Sequence, residues 1–113
     1  MDDCIFCRIV KGEIPSYMVF ESDSVLAFRD INPVAPVHII VIPKSHIESV
    51  ADVDTGNSAV LSDIFEAIAE IGKEQGLING YRIISNVGPD SNQTINHLHF
   101  HLIGGKKLSL TLG

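Results

Sequence analysis

Basic residues are scarce in this chain. Eight lysines and arginines face fourteen aspartates and glutamates, a formal net charge of -6, which argues against a protein that grips nucleic acid through many phosphate contacts. A small phosphorylated ligand remains compatible with that balance. Proline and glycine are also few, five and nine in 113 residues, and 45% of residues are hydrophobic against 19% charged, so the composition is neither disordered nor low-complexity. No apolar run approaches the roughly 20 residues that span a bilayer. The acidic start Met1-Asp2-Asp3-Cys4 differs from the basic beginning of a secretory signal. A cytoplasmic location without a membrane partner is therefore expected. There are only two cysteines, Cys4 and Cys7, and in an intracellular chain their Cys-x-x-Cys spacing reads as a metal half-site or a redox pair before a structural disulfide.

The length suits a single domain over residues 1–113. A chain of this size buries only about 60 to 70% of its unfolded surface, so a metal or a partner subunit would be useful support. Phe6, Ile9 and Val10 stand at helical spacing and are followed by Gly12 and Pro15, which predicts a short helix over 5–10. Apolar runs at 18–21 and 25–29 flank Ser22-Asp23-Ser24 as a hairpin would. The β-branched run from His38 to Ile42 stops at Pro43 and reads as a central strand. Val60, Leu61, Ile64, Ile68 and Ile71 recur every three or four residues, predicting one long helix capped by Ser58 or Asn57 and closed by Gly76. Strands are expected at 81–85 and 97–103, with a last one using Leu108, Leu110 and Leu112. The fold class is α+β: an antiparallel five-stranded sheet with one long and one short helix packed against one face.

The informative stretch is His97-Leu98-His99-Phe100-His101. On an extended backbone, alternation sends His97, His99 and His101 to one side and the apolar residues to the other. Three imidazoles in a row fit either a set of metal ligands or a nucleophile with helpers, because neutral imidazole serves in both roles near pH 7. The polar loop just upstream carries Asn86, Gln93 and Thr94. Asn86 and Gln93 can donate to phosphoryl oxygens, and Thr94 can pass a proton to a leaving group.

The segment from Gln93 through His97-Leu-His99-Phe-His101-Leu-Ile-Gly104-Gly105 resembles the histidine triad (HIT) family. So do Ile5-Phe6, Gly12-Glu-Ile-Pro15, Phe28-Arg-Asp-Ile31 and the run from His38 to His46, in family order. The glycine pair is similar to that of the nucleotide-binding phosphoramidase branch, and Cys4-x-x-Cys7 to bacterial members with a zinc half-site. The resemblance implies a nucleotide hydrolase or nucleotidyl transferase. It would cleave at the α-phosphate of nucleoside monophosphate derivatives (phosphoramidates, adenylates or dinucleoside polyphosphates) through a covalent nucleotidyl-histidine. By the same carry-over His99 would be the nucleophile, oriented by a backbone carbonyl near His97. His101, Gln93 and Asn86 would contact phosphoryl oxygens, Thr94 would lie near the leaving group, and His38 would support the nucleophile.

The resemblance maps the base onto Phe6, Ile9, Phe28 and Ile31 and the sugar hydroxyls onto Asp30. Read from the residues alone, the four apolar positions are core and Asp30 is a turn residue before Asn32-Pro33. It also implies a structural zinc held by Cys4, Cys7, His46 and His97, no organic cofactor, a purine nucleotide or derivative as ligand, and a two-fold homodimer. Two positions depart from the family pattern: Asn92 stands where glycine is usual, and Thr94 where serine is frequent. The alternatives are a nucleotide-binding or scaffold protein with little catalysis, and a metal-dependent hydrolase using the three histidines as ligands.

Overall fold

Ser22 closes the first hairpin, its Oγ accepting from the backbone N–H groups of Ser24 and Val25 at 3.4 and 3.1 Å. In the computed structural model, which describes residues 3–111, this turn joins β1 (Met18–Glu21) to β2 (Val25–Arg29). With β3 (Val37–Pro43), β4 (Tyr81–Ile84) and β5 (Phe100–Gly104) they form one antiparallel sheet in the order β1-β2-β3-β5-β4. The β-branched run is central, as expected: Ile39, Val41 and Ile42 are fully buried. Helix α1 spans Ile5–Val10 and helix α2 spans Ala59–Glu74.

The two helices cover opposite faces of the sheet, which corrects the expectation of one covered face. Val25, Ala27, Ile39 and Val41 pack against Ile64, Ala67, Ile68 and Ile71 of α2. Their alternate neighbours Leu26, Phe28, Ile40 and Ile42 pack with Phe6 of α1. Strands whose apolar residues run without alternation need cover on both sides, and residues 25–28 of β2 and 39–42 of β3 have that character. At the start of α2, Ser58 makes no side-chain cap. Asp54 and Asn57 instead hold the preceding turn, Asn57 Oδ1 accepting from Asp54 N–H at 2.8 Å. Gly76, at φ 71°, ends the helix in the left-handed region as predicted.

Two strand boundaries differ from expectation. β5 begins at Phe100, and the extended residues before it are held partly by Leu98 N–H, which donates to the Ile47 carbonyl at 2.6 Å. The alternation survives: Leu98, Phe100 and Leu102 enter the α2-side core. No strand forms over 106–111, because the chain turns away at Gly105 (φ 91°). Leu110 is 99% exposed there, and Arg82 Nη2 donates to the Ser109 carbonyl. Leu112 lies outside the described residues. Among those described, no helix is long and apolar enough to cross a membrane.

Candidate active site and metal centre

Packing of α1 against β2, β3 and the start of β5 leaves a cleft of about 710 Å³. Phe6 and Ile9 form one apolar wall, Phe28 and Ile40 the floor, and Ile31 the lip. Phe6 and Phe28 meet edge to face at 5.5 Å and are 4% and 5% exposed, so they belong to the core and line the cleft at once. Ile31 is 90% exposed. The polar end holds Asn86, Thr94, His99 and His101, with Asp30 alongside. Asp30 does serve the turn, its Oδ1 accepting from Asn32 N–H at 2.8 Å.

His99 is buried, and its Nδ1 lies 2.7 Å from the carbonyl of His97. A carbonyl only accepts, so Nδ1 carries the proton and Nε2 presents its lone pair. Phe6 abuts the ring edge to face at 5.2 Å and His101 lies at the same ring separation. Ser85 Oγ donates to the His99 carbonyl at 2.8 Å, holding the backbone from β4's end.

His38, expected to support the nucleophile, contacts His101. The register places Ile40 opposite His101, so His38 reaches diagonally along the same face. His38 Nε2 is 2.9 Å from His101 Nδ1 and 3.4 Å from Asp30 Oδ2, and its Nδ1 is 3.1 Å from Val34 N. Burial lowers the His38 pKa below its ordinary value, against a smaller opposing pull from Asp30. His101 is lowered to about 4 by burial first, then by His99 and His38.

Gln93 does not line the cleft. Its Nε2 donates to the carbonyls of Glu48 and Ile95 at 2.8 and 3.1 Å, and its Oε1 accepts from Gly88 N–H at 2.8 Å. The side chain braces the loop and has no donor left for a phosphate. Asn92 does line the cleft and adopts φ 64°, the left-handed region that asparagine tolerates best after glycine. Its tolerance for that conformation was the only sequence signal for its place. Neither Ser85 nor Ile40 carried any.

A second constellation lies behind Phe6. Ligand atoms of Cys4, Cys7, His46 and His97 fall within 4.8 Å of one another. Cys4 Sγ is 3.3 Å from His97 Nδ1, and Cys7 Sγ is 3.2 Å from His46 Nδ1 and 3.5 Å from His97 Nδ1. A zinc tetrahedron with ordinary bond lengths has S···N edges of about 3.5 Å, so these residues fit the ion. His97 Nε2 donates to the Pro43 carbonyl at 2.9 Å, which leaves Nδ1 as the lone pair facing the sulfurs. Burial, followed by the Cys4 side chain, pushes the Cys7 thiol up to about 11. A thiolate there needs a cation against it. Burial also lowers the His97 pKa, favouring the neutral ligand form. The three triad histidines share no ligand set among the described residues: His97 groups with the cysteines, His101 with Asp30 and His38, and His99 with neither.

Comparison with known proteins agrees with this geometry. A HIT family hydrolase from Clostridium thermocellum superposes with a TM-score of 0.96 at 41% identity, over 99% of this chain and 98% of that one. A histidine triad nucleotide-binding protein from Candida albicans gives 0.87 at 34% identity, covering 98% and 83%. The 14 kDa zinc-binding protein of Zea mays is 41% identical over 107 residues, 93% of this chain and 84% of its own. The HIT domain profile matches residues 11–108, a span that includes the oriented His99, the His101 pair and both histidines of the metal cluster, and the chain belongs to the HIT domain family.

Proposed function

We propose that this protein is a nucleotide hydrolase or nucleotidyl transferase that cleaves at the α-phosphate of nucleoside monophosphate derivatives through a covalent bond to His99. The observation that carries this reading is the 2.7 Å hydrogen bond from His99 Nδ1 to the His97 carbonyl beside an open cleft. The Nε2 lone pair attacks phosphorus and the bond to the leaving group breaks. The leaving group takes a proton through the Thr94 hydroxyl, which solvent restores. The imidazole becomes positively charged, and the His97 carbonyl on its Nδ1–H stabilises that charge. Water then attacks the same phosphorus, expels neutral His99, and releases the nucleoside monophosphate and one proton. His101 and Asn86 contact the phosphoryl oxygens. Phe6, Ile9, Phe28 and Ile31 hold a purine base, and Asp30 accepts from the ribose hydroxyls.

The names of the Clostridium and Candida proteins support hydrolysis and nucleotide binding, and the maize name supports zinc at Cys4, Cys7, His46 and His97. Four protein ligands close the coordination shell, so zinc would tie α1 to the sheet and take no part in the chemistry. The chain pairs as a two-fold homodimer.

The test is mass spectrometry of protein quenched while turning over adenosine 5′-phosphoramidate. The native chain gains one adenylyl mass and His99→Ala gains none, with turnover reduced more than about 10³-fold. Undiminished turnover by His99→Ala would sink the proposal. One observation favours a second reading, nucleotide binding with little turnover: the Gln93 amide is fully committed inside the loop. Binding of adenosine monophosphate without release of product would support it.

A further inference from the structure

Cys4 and Cys7 stand three residues apart, and with His46 and His97 they bring four ligand atoms within 4.8 Å of one another. The two sulfurs are not equally reachable. Cys7 is 7% exposed, whereas Cys4 is half-buried and lines a surface depression of about 440 Å³ together with His46 and Glu48. This depression borders the cleft at Ile5, Thr94 and Ile95, which line both. A small polar molecule therefore reaches Cys4 from solvent, and Cys7 waits behind it. We propose that Cys4 and Cys7 are a modification site, a dithiol that hydrogen peroxide converts to a disulfide at the expense of the zinc ligand set and of the α1 wall of the cleft.

One peroxide balances the change. The Cys4 thiolate attacks a peroxide oxygen, an S–O bond forms, the O–O bond breaks, and the second oxygen leaves as hydroxide, giving a sulfenic acid on Cys4. The Cys7 thiolate then attacks the Cys4 sulfur, an S–S bond forms, and the S–O bond breaks with loss of a second hydroxide. Two solvent protons turn both hydroxides into water, and the two sulfurs have given two electrons to the peroxide. A disulfide presents no thiolate, which leaves His46 and His97 alone of the four ligands, too few to retain the ion. The start of α1 is then untied from the sheet, because its contacts to His46 and His97 run through these two sulfurs. Phe6 lies between them and meets the His97 and His99 rings at 5.9 and 5.2 Å. Oxidation therefore loosens the wall beside His99, a consequence for catalysis that rests on the reaction proposed above.

The thiol chemistry is testable without turnover, on the native zinc-loaded chain. An equivalent of hydrogen peroxide should remove the mass of two hydrogen atoms from the tryptic peptide of residues 1–8, which holds both cysteines, and release one zinc per disulfide to a chromogenic chelator. Dithiothreitol with added zinc should reverse both. The disulfide form is expected to bind adenosine monophosphate about tenfold more weakly, as when the competent wall is formed a tenth of the time. Dimedone present during oxidation should capture the sulfenic acid on Cys4 and none on Cys7. Cys7→Ser should stop at that adduct, and Cys4→Ser should leave the buried Cys7 unmodified; if either variant fails to fold, the dimedone site in the native chain decides. Sulfinic or sulfonic products without a disulfide, capture on Cys7 ahead of Cys4, or a disulfide that leaves zinc and nucleotide affinity unchanged overturns the modification site. Disulfide formation and zinc release in a chain that forms no adenylyl-enzyme would refute the covalent reaction and leave the dithiol standing.

Discussion

Each of the three histidines in the row has one nitrogen engaged, and the partner decides what the other can do. His97 gives Nε2–H to Pro43 and faces the sulfurs. His99 gives Nδ1–H to His97 and faces the cleft. His101 sits on His38. The row was legible in sequence because alternation holds on any extended backbone, even upstream of the ladder. The role of Gln93 was not, since three partners contributed by a folded loop consume its amide, and spacing carries no information about them. The low pKa values have a consequence for stability. His101 at about 4 and His38 below its ordinary 6.5 bind fewer protons folded than unfolded. The unfolded chain therefore gains protons first as pH falls, so these groups make stability rise with pH across that window. Urea midpoints measured between about pH 4 and 6.5 should climb with pH, and less steeply in His101→Asn. An equal slope in the variant would show that His101 is not perturbed.

Helix α1 is the element that joins the two centres. It is only six residues long, too short for an isolated helix to persist in water, so tertiary contacts must hold it. Cys4 caps it, Sγ accepting from Cys7 N–H at 3.3 Å, Cys4 and Cys7 face His46 and His97, and Phe6 presses on both His97 and His99. Loss of the proposed zinc should therefore loosen the cleft wall as well as the fold. Cys7→Ser is expected to abolish one bound zinc per chain and to lower stability by more than about 3 kcal/mol, read by metal analysis and urea unfolding. Unchanged metal content and midpoint would refute the zinc assignment. The position of α1 across the sheet from α2 had a sequence signal that periodicity of the helices alone did not deliver: Val25, Leu26, Ala27 and Phe28 are apolar without interruption.

At the scale of the molecule, β4 leaves one edge of the sheet unpaired among the described strands. Phe65 of α2 is 48% exposed, although its ring meets Phe100 at 5.5 Å, and beside it Ile83 and Tyr81 are 42% and 37% exposed. Ile83 lies opposite Leu102, a residue of the α2-side core, so these side chains form one apolar margin. That margin is the surface on which the proposed homodimer would close. Phe65→Glu should convert a dimer to a monomer in sedimentation velocity. A native chain that sediments as a monomer at all concentrations would exclude the dimer.

Local physics was enough to read the two helices, the hairpin, the central strand and the histidine row from the chain itself. Periodicity, turn residues and alternation act over a few neighbours and need no distant partner. The pairing of His38 with His101 and the commitment of Gln93 were decided only by the tertiary structure. Each depends on which donor or acceptor lies within about 3 Å of a side chain once residues dozens of positions apart have packed together.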